Sequence, residues 1–563
     1  MEGNWKGGRL WTNRTVNATP LRKECVWGPE HLSFVRAGKI RTPVGIPTSR
    51  TPEDPAPLGP RPPGTRRDPL DAMCPPTQGG LRISPFGHVS LLVLHRLSRA
   101  LLFPSYWALD RFLVWGRPDS WGCRAIGLHL LSALLGAAVG LLLLSATLPL
   151  ALPGLLLWLP LQPRRRPFCY APPPGGWQPP APWRPSTDPP RAFGFLTANL
   201  CLFSDGLARF SNLRHSQRRA KEAARVFEKW SRGGGKGSAY GTTDGSPRRE
   251  PRGPGEVLAT LPGRLDFVCL QEMFDLRAED RLVRQLGPAL GHVLYDVGAA
   301  GLRPGLRLKL LGSGLLLASR YPLLAARFLP FPNGCREDAL ASKGLLSAQV
   351  QLGTLDQRRI VGFLHCTHLH APEGDGSVRS EQLSLVLEWA EQFEAENSKG
   401  GDAVAFSVFM GDLNFDNCSP DDALEQKHNV FSCFTDPCRL GPCSEQPWAL
   451  GTLLNIKFLH HSVVSCPKEL KSALEEEDGR RTFLDHRPTT GIPLTPWQGR
   501  RIDYILYQQG RPSQGQPGPV LTATVKHMTF STALAGLTDH LAVGLELQVA
   551  PAAFDPHAPG KTT

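Results

Sequence analysis

Cysteine is scarce in this sequence: 13 residues spread over 563, an odd and dilute number. That excludes a small scaffold stapled by disulfides. No apolar run follows Met1, so an ordinary signal peptide is not expected. No internal repeat is visible. Excess charge is also missing from most of the chain. The net charge is +13, yet residues 1–80 hold 12 Lys/Arg against 7 Asp/Glu and residues 81–170 hold 9 against 2, which leaves residues 171–563 at +1. A duplex-binding surface is basic, so a near-neutral body argues against a nucleic-acid partner.

The longest absence is of charge altogether. From Ala125 to Pro163, 39 residues contain no Lys, Arg, Asp or Glu. About 20 apolar residues suffice to cross a bilayer, and a water-soluble core helix has no use for more. Pro149, Pro153 and Pro160 fall in the second half of the run. Two readings follow: a spanning helix near 125–147 with an interfacial tail, or a helix that breaks and returns. A second apolar segment, Pro85–Gly116, carries His95, Arg96, Arg99, Asp110 and Arg111. Those charges favour a helix lying in the interface, with Trp107 and Trp115 at headgroup level. Arg164, Arg165 and Arg166 close the long run and would attract anionic lipid. Cys123 and Cys169 flank it and are candidate palmitoylation sites.

What is present in quantity is proline and glycine, 54 and 57 residues, beside a 41% apolar content that excludes global disorder. The division that results is a basic, Pro-rich, disordered extension over 1–84, hydrophobic anchoring segments over 85–170, a Pro-rich linker over 171–190, a folded catalytic domain over 191–550 with insertions near 231–257 and 418–497, and a disordered tail over 551–563. Sequons at Asn13 and Asn17 matter only if the amino terminus is lumenal.

Within 191–550 short apolar runs bounded by turn residues read as strands: 193–202, 265–271, 314–320, 359–369, 403–415, 501–507 and 540–549. Residues 380–396 read as an amphipathic helix capped by Ser380, and 218–230 as a weaker one. Several strands with few helices between them suggest an α/β sandwich of two stacked sheets with helices outside.

Polar residues fall at the ends of these strands. Asn199 interrupts FLTANL, Glu272 follows VCLQ, His368 sits in CTHLH, and Asp412 and Asn414 lie in GDLNFD. Asp503 is in RIDYIL, and Asp539 and His540 form TDH. Each is a costly polar group beside an apolar run and wants a partner. Brought to one edge of a sandwich, they make an oxygen-rich cleft with histidines and no paired cysteines. Hard oxygen donors suit Mg²⁺ better than zinc, and phosphate is the natural substrate oxygen. A His beside a carboxylate can then deprotonate water for in-line attack. Singly these signals are weak, and their order carries the reading.

The order TANL, LQE, THLH, GDLNFD, RIDYIL, TDH resembles that of the DNase I-like endonuclease/exonuclease/phosphatase superfamily. Within it the chain resembles the membrane-anchored neutral sphingomyelinases over about 85–549. Asp338 and Lys343 in EDALASKGLL match the Asp…Lys-Gly element of that branch. The resemblance implies a four-layer sandwich of two mixed sheets flanked by helices, preceded by a membrane module. It implies Glu272 as main Mg²⁺ ligand (Mn²⁺ possible in its place), with Asn199 and Asp539 on the metal side. Asp412 and Asn414 would position water and phosphate, and His540 would be the general base held by Asp503. His368 would donate to a phosphate oxygen, and Lys343 would swing with Asp338 in a gating element. The implied reaction is hydrolysis of sphingomyelin to ceramide and phosphocholine at a bilayer. Lysophosphatidylcholine-type substrates are the alternative, and a non-catalytic scaffold a third reading. Phosphatidylserine or cardiolipin are expected activators. A mitochondrial or endoplasmic-reticulum membrane is expected, with plasma membrane or Golgi as alternative and the catalytic body facing cytosol or matrix.

Overall fold

The computed structural model describes residues 81–115, 126–233, 255–303, 307–486, 499–509 and 520–552. The expectations for residues 1–80, Cys123, most of the 231–257 insertion and the tail beyond 552 lie outside the described residues. The first two helices are α1 (Val89–Trp115) and α2 (Ile126–Leu161). At 1.5 Å per residue α2 is about 54 Å long. The stretch Leu131–Arg164 is long and apolar enough to cross a bilayer, with a mean hydropathy of 2.1. Neither expected break occurs: Pro149, Pro153 and Pro160 all lie inside one continuous helix. Close packing against α1 holds it together. A Cβ on Gly136 would stand 2.6 Å from Trp115, one on Gly140 2.7 Å from Phe112, and one on Gly154 2.9 Å from Leu101. Only glycine lets two backbones approach this closely, the usual device of helix pairs in lipid. The two helices run antiparallel.

The body is a sandwich. Its strands are β1 (Cys169–Ala171), β2 (Arg191–Asn199), β3 (Gly255–Leu258), β4 (Phe267–Gln271), β5 (His292–Tyr295), a small β6–β7 hairpin (Gly301–Arg303, Arg307–Lys309), β8 (Leu316–Ser319), β9 (Leu323–Pro330), β10 (Gly344–Leu355), β11 (Arg358–His368), β12 (Ala403–Asp412), a small β13–β14 hairpin (Arg439–Gly441, Ser444–Glu445), β15 (Asp503–Gln509), β16 (Leu521–Ser531) and β17 (Ala542–Pro551). One sheet has the order β1-β5-β8-β4-β2-β17-β16-β3, the other β15-β12-β11-β10-β9. Both are mixed: β2/β4 and β11/β12 are parallel within otherwise largely antiparallel neighbours. After the short α3 (Asp205–Ala208), helices α4 (Ser216–Gly233) and α5 (Leu276–Leu290) contribute to the core outside the first sheet, and α6 (Gly376–Asn397) to that outside the second. The α6 helix starts four residues before Ser380, behind Gly374 at φ 79°, with Asp375 as N-cap.

Alternation along each strand separates the two faces. Phe193, Phe195, Phe267, Cys269, Val408 and Met410 point between the sheets, while Leu196, Val268 and Leu270 point to the outer helices. Phe406 is the centre of the inner layer, 5.4 Å from Phe193 and 5.1 Å from Phe195 between ring centroids. Cys169 is buried in β1 at 2% exposure, which argues against its palmitoylation. Phe406→Ala should cost about 3–5 kcal/mol, read by denaturant unfolding in detergent. A loss within the range of a surface substitution would contradict the packing.

Candidate active site

The polar residues continue the inward-facing parity of the core. On β2 the sequence Phe193, Phe195, Thr197 leads to Asn199. On β11 Leu364 and Cys366 lead to His368, and on β12 Val408 and Met410 lead to Asp412. On β15 Asp503 precedes Ile505. Side chains two residues apart share a face, so these groups form a polar cap on one end of the inter-sheet core. Register lines them up: Asn199 pairs with Gln271, His368 with Asp412, and Asp412 with Asp503. Glu272 follows β4 at φ 58° and Asn414 follows β12 at φ 55°. Left-handed backbone at non-glycine residues costs of order 1–3 kcal/mol and clusters at functional sites.

At this end hydrogen bonds cross from sheet to sheet. Asn199 Nδ2 donates to Asp412 Oδ2 at 3.0 Å, and His540 Nδ1 donates to Asp503 Oδ2 at 2.8 Å. Asn199 Oδ1 accepts from the Cys201 amide, and Asn414 Nδ2 donates to the Leu369 carbonyl. Lys343 Nζ is 2.9 Å from Asp338 Oδ2 and donates to Leu369 O and to His368 Nε2. An ammonium can only donate, so His368 carries its proton on Nδ1. That atom is buried without a partner among the described residues.

Ligand-type atoms of Glu272, His368 and Asp412 lie within 4.8 Å of one another, as do those of Asp412, Asp503 and His540. Asp539 joins neither group. Its charge is still felt at Glu272, whose pKa is pushed up to about 7 by burial and then by Asp539. Burial and Asp503 push Asp412 up to about 6. Burial opposes a charge on His540, but Asp503, Asp412 and Asp539 outweigh it and raise the ring to about 10. All three groups are driven toward their protonated forms. The cluster therefore concentrates negative charge on its carboxylate oxygens, which together with the amide oxygens make a donor set that fits a hard divalent cation. His368 is moved the other way, well below the ordinary imidazole range, by burial and by Lys343. Burial alone would raise Asp338, yet the Lys343 charge holds it well below the carboxylate range.

Sequence reasoning missed the supports. Thr538 Oγ1 donates to the Asn199 carbonyl at 2.6 Å, and Thr452 Oγ1 accepts from the Ile502 and Asp503 amides. Arg219 of α4, 5% exposed, donates to the Leu200, Cys201 and Leu537 carbonyls. The TDH triplet contained Thr538, but nothing in the sequence marked Thr452 or Arg219. Part of the 418–497 insertion also meets the site, where the Leu454 amide donates to Asp539 O.

The loops leaving β2 and β4 at this end meet the membrane module. Gly206 N donates to Asp110 Oδ1 at 2.7 Å, and Arg209 donates to the Leu113 and Val114 carbonyls. The Arg277 guanidinium lies 4.7 Å from the Phe103 ring centroid. Leu207, Phe210 and Leu276 stay exposed beside these contacts. Arg165 donates to the Asp296 and Gly298 carbonyls and pairs with the Asp296 carboxylate, so it serves the body and is not available to lipid.

Residues 196–540 match the Endonuclease/Exonuclease/phosphatase family, and residues 90–164 match the Neutral sphingomyelinase N-terminal transmembrane region. Sphingomyelin phosphodiesterase 5 of Mus musculus is 55% identical over 477 residues, covering 84% of this chain and 96% of the relative. Sphingomyelin phosphodiesterase 3 of Homo sapiens is 33% identical, covering 83% and 99%. Among solved structures, sphingomyelinase C from Streptomyces griseocarneus aligns with 17% identity and a TM-score of 0.34, over 63% of this chain and 99% of that one.

The three upward pKa shifts have a shared sign. In each case the folded protein binds more protons than the unfolded chain, so stability falls as pH rises. The window runs from about 4, where unfolded carboxylates ionise, to about 10, where His540 loses its proton. The melting midpoint of chelator-treated protein should fall between pH 5 and 9. Added Mg²⁺ should raise it more at pH 9 than at pH 5, and Glu272→Gln should remove most of that difference. An equal Mg²⁺ increment at both pH values would contradict the charge surplus.

Proposed function

Because the chain belongs to the endonuclease/exonuclease/phosphatase family, in its membrane-anchored neutral sphingomyelinase branch, we propose that it hydrolyses sphingomyelin to ceramide and phosphocholine at a membrane surface. The observation that carries this reading is the coincidence of two features. A buried carboxylate–histidine cluster caps the sandwich, and the loops that hold it rest on the membrane helices.

The proposed division of labour follows the contacts. Glu272, with Asn199 and Asp539 nearby, would hold Mg²⁺, with Mn²⁺ able to substitute. When bound, the ion would neutralise charge on the phosphodiester oxygens. His540 Nε2 takes the proton of the attacking water, its Nδ1 proton anchored on Asp503. That role requires a neutral ring, so it belongs to the state in which the carboxylate surplus is balanced. Asp412, itself held by Asn199, orients the water, and Asn414 faces the phosphate from the left-handed turn behind it. The unpartnered Nδ1–H of His368 is a donor for a phosphate oxygen. Lys343 controls His368 by occupying its Nε2, and Asp338 controls Lys343 by pairing with it.

The substrate reading rests on the relatives and on the anchor. Exposed Arg96 and Arg99 on α1 and exposed Arg164 at the end of α2 support activation by phosphatidylserine or cardiolipin. Ten free cysteines among the described residues support a reducing compartment, cytosol or matrix, for the body. A mitochondrial or endoplasmic-reticulum membrane remains the proposed address.

Against sphingomyelin in mixed micelles with Mg²⁺, His540→Ala and Glu272→Ala should each lower turnover by about 10²–10⁴. A panel of sphingomyelin, lysophosphatidylcholine and duplex DNA separates substrate classes. Preference for the lysolipid would overturn the sphingomyelin assignment and leave the chemistry standing. In vesicles, added phosphatidylserine should raise the rate; identical rates would retire the lipid-activation reading.

A further inference from the structure

Outside the catalytic cluster, three ligand-type side chains converge where the β9–β10 connection meets the segment between β11 and α6. Cys335 Sγ is 3.5 Å from His370 Nε2, His370 Nε2 is 3.0 Å from Asp375 Oδ2, and Cys335 Sγ is 3.8 Å from Asp375 Oδ2. A tetrahedral zinc ion with ordinary Zn–S, Zn–N and Zn–O bonds needs edges of about 3.6, 3.4 and 3.6 Å between the same atom types. The three atoms thus stand within a few tenths of an ångström of one face of that tetrahedron. His370 is fully buried and forms the floor, while Cys335 and Asp375 are partly open to solvent.

Asp375 supplies an independent sign. It is the N-cap of α6, where an Asp ordinarily accepts from the first-turn amides. Here its side chain makes no cap hydrogen bond and turns to His370 and Cys335. Arg336 Nε, at 3.3 Å, is its other neighbour. On its far side His370 Nδ1 lies 3.3 Å from Asp338 Oδ2. A ligating imidazole typically turns its second nitrogen to a carboxylate, which fixes the ring and strengthens the bond to the metal. Asp338 stands in that position.

We propose that Cys335, His370 and Asp375 form a second cation site, for a borderline-soft divalent ion of the zinc class, with three protein donors and one open position. Cys335 binds as thiolate and its proton passes to buffer. The ion takes His370 Nε2, so the ring proton sits on Nδ1 against Asp338. Asp338 also accepts the Ala371 amide and pairs with Lys343 at 2.9 Å, and Lys343 Nζ reaches His368. Occupancy therefore holds Asp338 and Lys343 in the arrangement seen, with His368 Nε2 engaged. This second step rests on the proposed role of His368; the binding site itself does not.

The test uses the full chain in detergent, stripped with chelator and returned to saturating Mg²⁺. Titrated Co²⁺ should give a thiolate-to-cobalt charge-transfer band at one equivalent, and Zn²⁺ should displace it. Cys335→Ser should abolish the band while leaving zinc-free turnover unchanged. His370→Gln should also abolish it, which keeps the test decisive if the serine variant folds poorly. Asp338→Asn should weaken Co²⁺ binding by about 10–100-fold. By holding Lys343 on Asp338 and stopping the swing expected of that gating pair, Zn²⁺ should lower wild-type turnover by about 5–150-fold, if the whole coupling between the sites appears in the rate, and not that of Cys335→Ser. No band in the wild type, or one that persists in Cys335→Ser, overturns the site. Equal inhibition of both proteins places zinc at the catalytic cluster and overturns the coupling.

Discussion

The hydrogen bonds from His540 to Asp503 and from Asn199 to Asp412, which cross between the sheets, are the constraint on which the rest depends. A sandwich core is filled by apolar side chains of alternating parity, and at one end that filling is replaced by ionisable groups. Buried charge is tolerated only when it is partnered. Asn199 and His540 therefore find their counterparts, Asp412 and Asp503, on the opposite sheet, and that fixes how the sheets meet at this end. The left-handed residues Cys201, Glu272 and Asn414, at φ 47°, 58° and 55°, are where the chain leaves the strands to make this possible.

The same loops join chemistry to anchor. Ser204–Arg209, a few residues beyond Asn199, docks on the carboxyl-terminal half of α1, and Arg277, a few residues beyond Glu272, stacks on Phe103. Displacement of the membrane helices would therefore be felt at the ends of β2 and β4. For an enzyme whose substrate headgroup lies at the interface, this is a short mechanical path from bilayer to site. Gly136, Gly140 and Gly154 keep the α1–α2 pair tight enough to act as one body.

Much of this was legible in the sequence, and the failures have causes. All seven expected strands exist, because short apolar runs ending in turn residues have few other solutions. Long strands β10 and β16 escaped notice: GLLSAQVQLGTL and LTATVKHMTFS alternate polar with apolar residues, so neither contains a continuous apolar run. The prolines of α2 misled because proline cost is a local quantity, whereas helix–helix packing along α2 is not. The start of α6 was misplaced because Ser380 looks like a cap, while Gly374 and Asp375 set the boundary. Arg164–Arg166 read as three equivalent lipid anchors, yet Arg165 belongs to the Asp296–Gly298 loop.

By itself the sequence determined which residue types stand at strand ends, that a long uncharged helix precedes them, and hence the family and its chemistry. Those are local facts, carried by parity and composition. The tertiary structure decided which of the polar residues meet: that Lys343 reaches His368, that Asp539 lends its charge to Glu272 and His540, and that Cys335, His370 and Asp375 share a corner. Such contacts join positions tens to hundreds of residues apart, and their distances depend on sheet twist and register, which no short window of sequence contains.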